Sequence, residues 1–127
     1  MTKFVLDSSA LIALLNEETG ASLVADNITD SIISAVNLSE VVTKLCSRGI
    51  SENDIHRALE AIGFMVISFE EVQAYQCGWL NTSTKQLGLS LGDRACLSLA
   101  KMVDLPVLTA DRTWAGLSIG VNVKVIR

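Results

Sequence analysis

Four acidic residues are the part of this sequence best suited to chemistry. Asp7 and Asp111 stand at the ends of short apolar runs, and Glu40 and Asp93 fall in the first turns of predicted helices. Carboxylates crowded together repel one another, so some take up protons unless a cation is present. Oxygen ligands of this kind suit Mg²⁺ or Mn²⁺. An ion held there would activate water and stabilise charge on a phosphodiester, which implies metal-dependent phosphodiester hydrolysis.

Helix capping is the simpler explanation for each acid taken singly. Acidic side chains favour helix N-termini, and all four acids are predicted to lie at helix starts. Glu40 and Asp93 fit this explanation well, because each occupies the third helical position of a capping-box pattern. The patterns are Asn37-Leu38-Ser39-Glu40 and Ser90-Leu91-Gly92-Asp93. Capping does not explain why the acids follow buried apolar segments at what should be one edge of a sheet.

Short apolar runs alternate with helical segments along the whole chain. We predict strands at 3–6, 31–36, 64–69, 107–109 and 121–126. We predict helices at 10–16, 21–27, 37–48, 51–62, 70–86, 93–103 and 112–117, the last being a short helix or turn. This alternation predicts an α/β fold with a central, mainly parallel sheet of about five strands and helices on both faces. Without repeats or linkers, residues 1–127 read as a single domain.

An open α/β sheet gives the four acids a common location. Ligands bind beyond the carboxyl ends of the strands, where the strand order reverses. Asp7 and Asp111 would form the floor of that crevice. Glu40 and Asp93 would reach in from the sides if their helices start at the same edge. We therefore predict one site built from all four carboxylates.

Net charge, hydropathy and cysteine content indicate in which compartment the protein acts and which partners it can bind. The formal net charge is −4 and there is no basic tract, which argues against nucleic-acid binding unless bound metal reverses the local sign. No apolar run approaches a membrane span, and the N-terminus is a poor signal peptide. The three cysteines read as buried thiols, so we expect a cytoplasmic protein. The mean hydropathy of +0.42 hints at apolar surface covered by a partner.

Four segments carry a resemblance to a known family. They are Phe4-Val5-Leu6-Asp7-Ser8-Ser9-Ala10, Ser34-Ala35-Val36-Asn37-Leu38-Ser39-Glu40-Val41, Leu89-Ser90-Leu91-Gly92-Asp93-Arg94 and Leu108-Thr109-Ala110-Asp111-Arg112-Thr113-Trp114. In this order they resemble a PIN domain, specifically the VapC-type ribonuclease toxins of bacterial toxin–antitoxin pairs. The likeness covers essentially the whole chain.

The resemblance implies a PIN fold and an Mg²⁺- or Mn²⁺-dependent endoribonuclease. Carried over by position, Asp7 and Asp93 are the principal metal ligands, and Glu40 and Asp111 complete the catalytic acidic site directly or through water. Toxins of this family usually form homodimers and are held inactive by a cognate VapB-like antitoxin. Several of them attack tRNA at defined loops. We expect no membrane partner, because no apolar run approaches the length of a membrane span.

Four further polar residues have two interpretations each, and a fifth, Lys44, has one. Ser8 and Thr109 resemble the family's small hydroxyl residues beside the acids, but cap and strand-end roles fit them equally. Arg94 and Arg112 follow acids and are candidates for RNA phosphate contacts, although surface ion pairs are the favoured explanation. Lys44 lies four residues after Glu40, so an i,i+4 ion pair is the simplest prediction.

Two apolar features also allow two interpretations. Trp114 is suited to stacking on a base, but packing under the last strand is the favoured explanation. The run Ala10–Leu15 is more apolar than one helical face needs. Burial in the core and a place in an antitoxin or dimer surface explain it equally well.

Two other functions compete with the nuclease. The first is a non-catalytic module on the same fold that binds protein or RNA, and the absence of divalent-metal binding would favour it. The second is a phosphoacceptor receiver domain, which also has an acidic pocket at a sheet edge. We rank the receiver domain below both the nuclease and the binding module. Such domains carry paired acids after the first strand, whereas Ser8 and Ser9 follow Asp7 here.

Overall fold

The computed structural model describes residues 3–127, which form a five-stranded sheet covered by helices on both faces. All strand pairings are parallel and the strand order is β3-β2-β1-β4-β5. The strands are β1 (Val5–Leu6), β2 (Ile32–Ser34), β3 (Met65–Ile67), β4 (Val107–Thr109) and β5 (Val123–Val125). The α/β fold with a parallel sheet of five strands is confirmed.

Six α-helices lie in pairs in the three connections between β1, β2, β3 and β4. They are α1 (Ser8–Leu15), α2 (Ala21–Asn27), α3 (Ala35–Ser47), α4 (Glu52–Ile62), α5 (Glu71–Thr84) and α6 (Leu91–Val103). Three short 3₁₀ helices lie at Ile28–Asp30, Lys85–Leu87 and Arg112–Gly116. No helix in the described part of the chain is both long enough and apolar enough to cross a membrane.

The two faces of the sheet bury separate apolar clusters. Successive residues of a strand point to opposite faces, and Val5 and Leu6 are both fully buried in different clusters. Helices α1 to α4 pack on the Leu6 side, whereas α5 and α6 pack on the Val5 side. Trp114 is fully buried in the second cluster, which confirms its predicted packing role. Ala10–Ala13 are buried as well, so the apolar run of α1 contributes to the core.

The predicted start of the third helix is wrong. We predicted a strand to Val36 and a helix capped by Asn37, but β2 ends at Ser34 and α3 begins at Ala35. Ser34 is the N-cap, and its hydroxyl accepts the backbone N–H of Val36 at 3.2 Å. Asn37 therefore lies inside the first turn, and Glu40 lies in the second turn rather than at a helix start.

The order of the strands predicts a ligand-binding crevice between β1 and β4. The chain runs from β1 to β2 on one side and later returns to β4 on the other side of β1. The strand order therefore reverses between β1 and β4, and their carboxyl ends are the expected ligand-binding edge. Asp7 follows β1 directly, and Asp111 follows β4 after one intervening residue.

Candidate active site

Asp7 lies at the centre of the crevice and is only 3% exposed. Its backbone N–H donates to the carbonyl of Leu108 at 2.9 Å, which anchors it between β1 and β4. The Oδ2 atom of its carboxylate accepts two hydroxyl groups, Ser9 Oγ at 2.5 Å and Thr109 Oγ1 at 2.9 Å. Two side chains therefore fix this carboxylate through one of its oxygens.

The other oxygen of Asp7, Oδ1, is buried and has no hydrogen-bond partner among the described residues. Burial raises the pKa of Asp7 from 3.8 to about 6. The Ser9 and Thr109 hydroxyls oppose that rise, and the charges of Asp93 and Glu40 add to it. A buried carboxylate with a free oxygen and two acidic neighbours is unfavourable as an anion unless a cation compensates it.

Glu40 points back from the second turn of α3 toward the same crevice. Its Oε1 atom accepts Ser8 Oγ at 3.0 Å and Asn37 Nδ2 at 3.0 Å. Asn37 is fully buried, and its Nδ2 also donates to the carbonyl of Gly92 at 2.9 Å. The predicted capping-box role of Glu40 is thus wrong, because the residue is held by side chains from α1 and its own helix.

Gly92, near the start of α6, also contacts the side chain of Glu40 on α3. A methyl group on its Cα would collide with the carboxylate of Glu40. The approach of Glu40 to the start of α6 therefore requires glycine at this position. Sequence reasoning missed the positioning roles of Gly92, Asn37 and Ser9. A glycine inside a capping box and a buried amide are weak signals until the contacts are known.

Asp93 is the third residue of α6 and makes the predicted capping box with Ser90. Its Oδ2 accepts the backbone N–H of Ser90 at 3.0 Å, and Ser90 Oγ accepts the backbone N–H of Asp93 at 3.2 Å. Capping uses one carboxylate oxygen only. Asp93 also adds to the pKa of Asp7, so the capping residue is at the same time part of the acidic cluster.

Asp111 is connected to Asp7 through a hydroxyl group. Its backbone N–H donates to Thr109 Oγ1 at 3.0 Å, and that hydroxyl donates to Asp7. The Oδ1 atom of Asp111 accepts the backbone N–H and the hydroxyl of Thr113, at 3.0 and 2.6 Å. Asp111 therefore caps the 3₁₀ helix that follows it, at the rim of the crevice.

The thiol of Cys96, in the core, feels the charges of the same three acids. It is fully buried on α6, and burial raises the pKa of its thiol well above the ordinary value. The charges of Asp7, Asp93 and Glu40 raise it further, in that order. Cys77 is buried as expected, but Cys46 is exposed, so the prediction of three buried thiols is wrong for one of them.

The donor set suits a hard divalent cation that keeps much of its water. Among residues 3–127, no three carboxylate, thiol or imidazole groups lie close enough to hold one ion directly. Mg²⁺ is typically bound through one or two carboxylates and several waters, so it does not need three. The buried, unpartnered Oδ1 of Asp7 fits the direct contact, and the charges of Glu40 and Asp93 act on the same carboxylate.

The basic side chains near the site do not pair with acids. Arg94 Nη1 donates to the carbonyl of Cys77 at 3.0 Å, and Arg112 Nε donates to the carbonyl of Arg127 at 3.0 Å. The ion pairs among the described residues include neither arginine, and Lys44 is absent from them too. The predicted surface ion pairs of Arg94 and Arg112, and the predicted pair of Lys44 with Glu40, are therefore wrong.

Comparison with known proteins agrees with this architecture. The family model of the PIN domain matches residues 4–119. A chain of a toxin–antitoxin complex from Klebsiella pneumoniae superposes with a TM-score of 0.78 at 21% identity, covering 98% of both chains. DNA-bound VapBC from Salmonella typhimurium gives 0.77 at 16% identity over 100% of both chains. FitAcB from Neisseria gonorrhoeae gives 0.73 at 20% identity over 97% of both chains.

These structural likenesses, at such low identity, establish a shared fold. No curated protein sequence matches the chain. The family model, however, spans nearly the whole sequence, from the first residue before β1 to the segment that precedes β5. This chain belongs to the PIN domain family.

Proposed function

We propose that this protein is a metal-dependent endoribonuclease of the VapC type, which hydrolyses RNA phosphodiester bonds. One observation carries the proposal: Asp7 is buried with a free carboxylate oxygen, beside Glu40 and Asp93, at the switch point of a parallel sheet. Such an arrangement is costly for folding and is therefore typical of a functional site.

Mg²⁺ or Mn²⁺ is the cofactor that the donor set favours. Asp7 and Asp93 would be its principal ligands, with Glu40 and Asp111 completing the site directly or through water. When bound, such an ion lowers the pKa of a water molecule and stabilises the charge that develops on the phosphodiester.

The residues around the acids prepare the site for that chemistry. Ser9 and Thr109 hold Oδ2 of Asp7, which leaves Oδ1 unpaired and the carboxylate with little freedom to rotate. Asn37 and Ser8 hold Glu40 in the same way. A carboxylate fixed before its ligand arrives loses little entropy on binding, which favours affinity and correct geometry.

Exposed apolar surfaces support two protein partners, a VapB-like antitoxin and a second copy of the chain. The rings of Tyr75 and Trp79 lie in a tilted arrangement on the outer face of α5 with their centroids 5.7 Å apart, and Trp79 is 66% exposed. A groove of about 580 Å³ between α3 and α4 has apolar walls of Leu38, Val42, Ile55, Leu59 and Phe64. Such a groove suits an amphipathic helix, and the names of several similar structures describe toxin–antitoxin complexes. A ribonuclease toxin of this kind would act in the cytoplasm, on RNA that includes tRNA in several family members.

RNA cleavage with and without divalent metal tests the proposal. We expect the wild-type protein, freed of any antitoxin, to cleave RNA in Mg²⁺ or Mn²⁺ and to stop in chelator. Asp7→Asn and Asp93→Asn should lose at least a hundredfold in rate, because each removes a charged ligand. The exposed Asp26 provides the matched control, Asp26→Asn, which should keep full activity.

Two results would contradict the proposal. Equal cleavage by all four proteins would mean that the acids are not the site. Intact RNA, together with no divalent binding in calorimetry, would favour a non-catalytic PIN-fold module that binds protein or RNA.

A further inference from the structure

A second concave surface lies next to the acidic site and shares Glu40 with it. A groove of about 720 Å³ runs between α3, the first residues of α6 and Phe69, which precedes α5. Glu40 and Gly92 form its wall next to the acids, and Lys44 lines it one helical turn further along α3. The groove therefore connects the acidic site to a basic side chain and an aromatic ring.

Lys44 is a cation without a neutralising partner. It lies four residues after Glu40, the spacing at which an ion pair is expected. Glu40 is turned away from it, however, toward Ser8 and Asn37. Lys44 is exposed, and it forms no ion pair with any acid in the described part of the chain. Its charge remains available in a protein whose formal net charge is −4.

Resting on the proposed nuclease function, we propose that this groove binds the RNA strand beside the cleaved bond, with Lys44 on a backbone phosphate. Four residues of helix separate Lys44 from Glu40 by about 6 Å along the axis. That distance is on the scale of the step from one phosphate to the next along an extended strand. A phosphate near the acids would thus place its neighbour near the ammonium group.

Phe69 supplies the second contact of this subsite. Its side chain is half-buried and lines the same groove as Lys44. An aromatic ring stacks on any base, because every base has a π face. Lys44 and Phe69 therefore favour a single-stranded segment, in which a base can unstack from its neighbours and lie on the ring, and they do not read a particular sequence. A duplex, with its bases stacked inside, would not enter the groove in this way.

Single-turnover cleavage of a labelled single-stranded RNA tests the role of Lys44. In Lys44→Gln, the protein concentration for half-maximal rate should rise about three- to tenfold, while the maximal rate stays within twofold. Removing one contact to a single strand should also reduce the slope of log affinity against log salt by about 0.7. Lys44→Arg should restore both values, because it keeps the charge. Lys101→Gln, an exposed lysine on α6 that does not line this groove, is the matched control.

The outcomes separate this inference from the proposed function. If the wild-type protein cleaves RNA and Lys44→Gln keeps the wild-type half-saturation and salt slope, the phosphate contact is refuted and the nuclease stands. If Lys44→Gln weakens only the binding of an acidic antitoxin peptide, the groove is a protein site and the inference fails. If the wild-type protein does not cleave RNA, the proposed function fails first.

A second variant tests the base contact. Phe69→Leu keeps apolar bulk in the groove but removes the aromatic face. We expect the half-saturating concentration to rise about fivefold with single-stranded RNA, and circular dichroism should show that the protein remains folded. Unchanged half-saturation would remove Phe69 from the subsite.

Discussion

Replacing Asp7 with asparagine should stabilise the metal-free protein at the expense of its activity. Burial raises the pKa of Asp7 from 3.8 to about 6. At about 1.4 kcal/mol per pH unit, ionisation of this one group costs about 3 kcal/mol of folding free energy at pH 8. In Asp7→Asn the amide oxygen still accepts the Ser9 and Thr109 hydroxyls. We allow about 1 kcal/mol for the unpaired amide N–H, which leaves a net gain of about 2 kcal/mol.

The gain must depend on pH in a defined direction. The folded-state pKa of Asp7 lies above the unfolded value, so its favourable contribution is complete below pH 3.8 and is lost as the pH rises through about 6. At pH 5 the ionisation cost in the wild-type protein falls to about 1.5 kcal/mol. The advantage of Asp7→Asn should therefore shrink from about 2 to about 0.5 kcal/mol between pH 8 and pH 5.

Thermal and urea unfolding in chelator measure this difference. At pH 8 the Tm of Asp7→Asn should exceed that of the wild-type protein by about 7 °C, and at pH 5 by about 2 °C. Asp26→Asn, at an exposed position, should show no such shift. Adding Mg²⁺ should raise the Tm of the wild-type protein and leave the variant unchanged. A variant less stable than wild type at pH 8, or a gain that is equal at both pH values, would show that ionisation of the buried Asp7 carboxylate does not carry this cost.

Two further substitutions test the residues that hold the acids in place. Gly92→Ala places a methyl group where the Glu40 carboxylate lies, so this flexible side chain must leave its hydrogen bonds with Ser8 and Asn37. We expect Gly92→Ala to lose most RNA cleavage and to be about 1 kcal/mol less stable in urea unfolding than Gly78→Ala, where nothing lies within 4 Å. Equal stability of the two variants would contradict the contact. Thr109→Val removes a hydroxyl that lowers the pKa of Asp7, so the acid limb of the pH–rate profile should move to higher pH, whereas Thr109→Ser should keep it. A profile that does not move would exclude this coupling.

Local patterns predicted the elements better than their contacts. The capping box of Ser90 and Asp93 was readable because it is a matter of spacing alone. The same spacing from Asn37 to Glu40 gave a wrong helix start, because the apolar run before Asn37 is compatible with both strand and helix. The first turn of α3 forms inside that run, and Asn37 is buried as a bridge to Gly92. The periodicity of apolar residues along a sequence does not predict a hydrogen bond between residues 55 positions apart.

The proximity of Asp7 to the charges of Glu40 and Asp93 was predictable only as a consequence of topology. Because strands alternate with helices, the sequence predicts that Asp7 and Asp111 lie at one edge of a parallel sheet. It does not predict that a hydroxyl of Thr109 links them, or that Asp7 keeps one oxygen free. These details depend on side-chain orientation, which is set by packing across the whole site.

The location of a bound divalent ion is the sharpest test of whether Asp7 is a metal ligand. A crystal of the protein soaked in Mn²⁺ should give an anomalous peak within bonding distance of Asp7 Oδ1, next to Glu40 and Asp93. A crystal of Asp7→Asn treated in the same way should give no peak there. Well-ordered Mn²⁺ found elsewhere, with none beside Asp7 in the wild-type crystal, would show that Asp7 does not hold a metal ion.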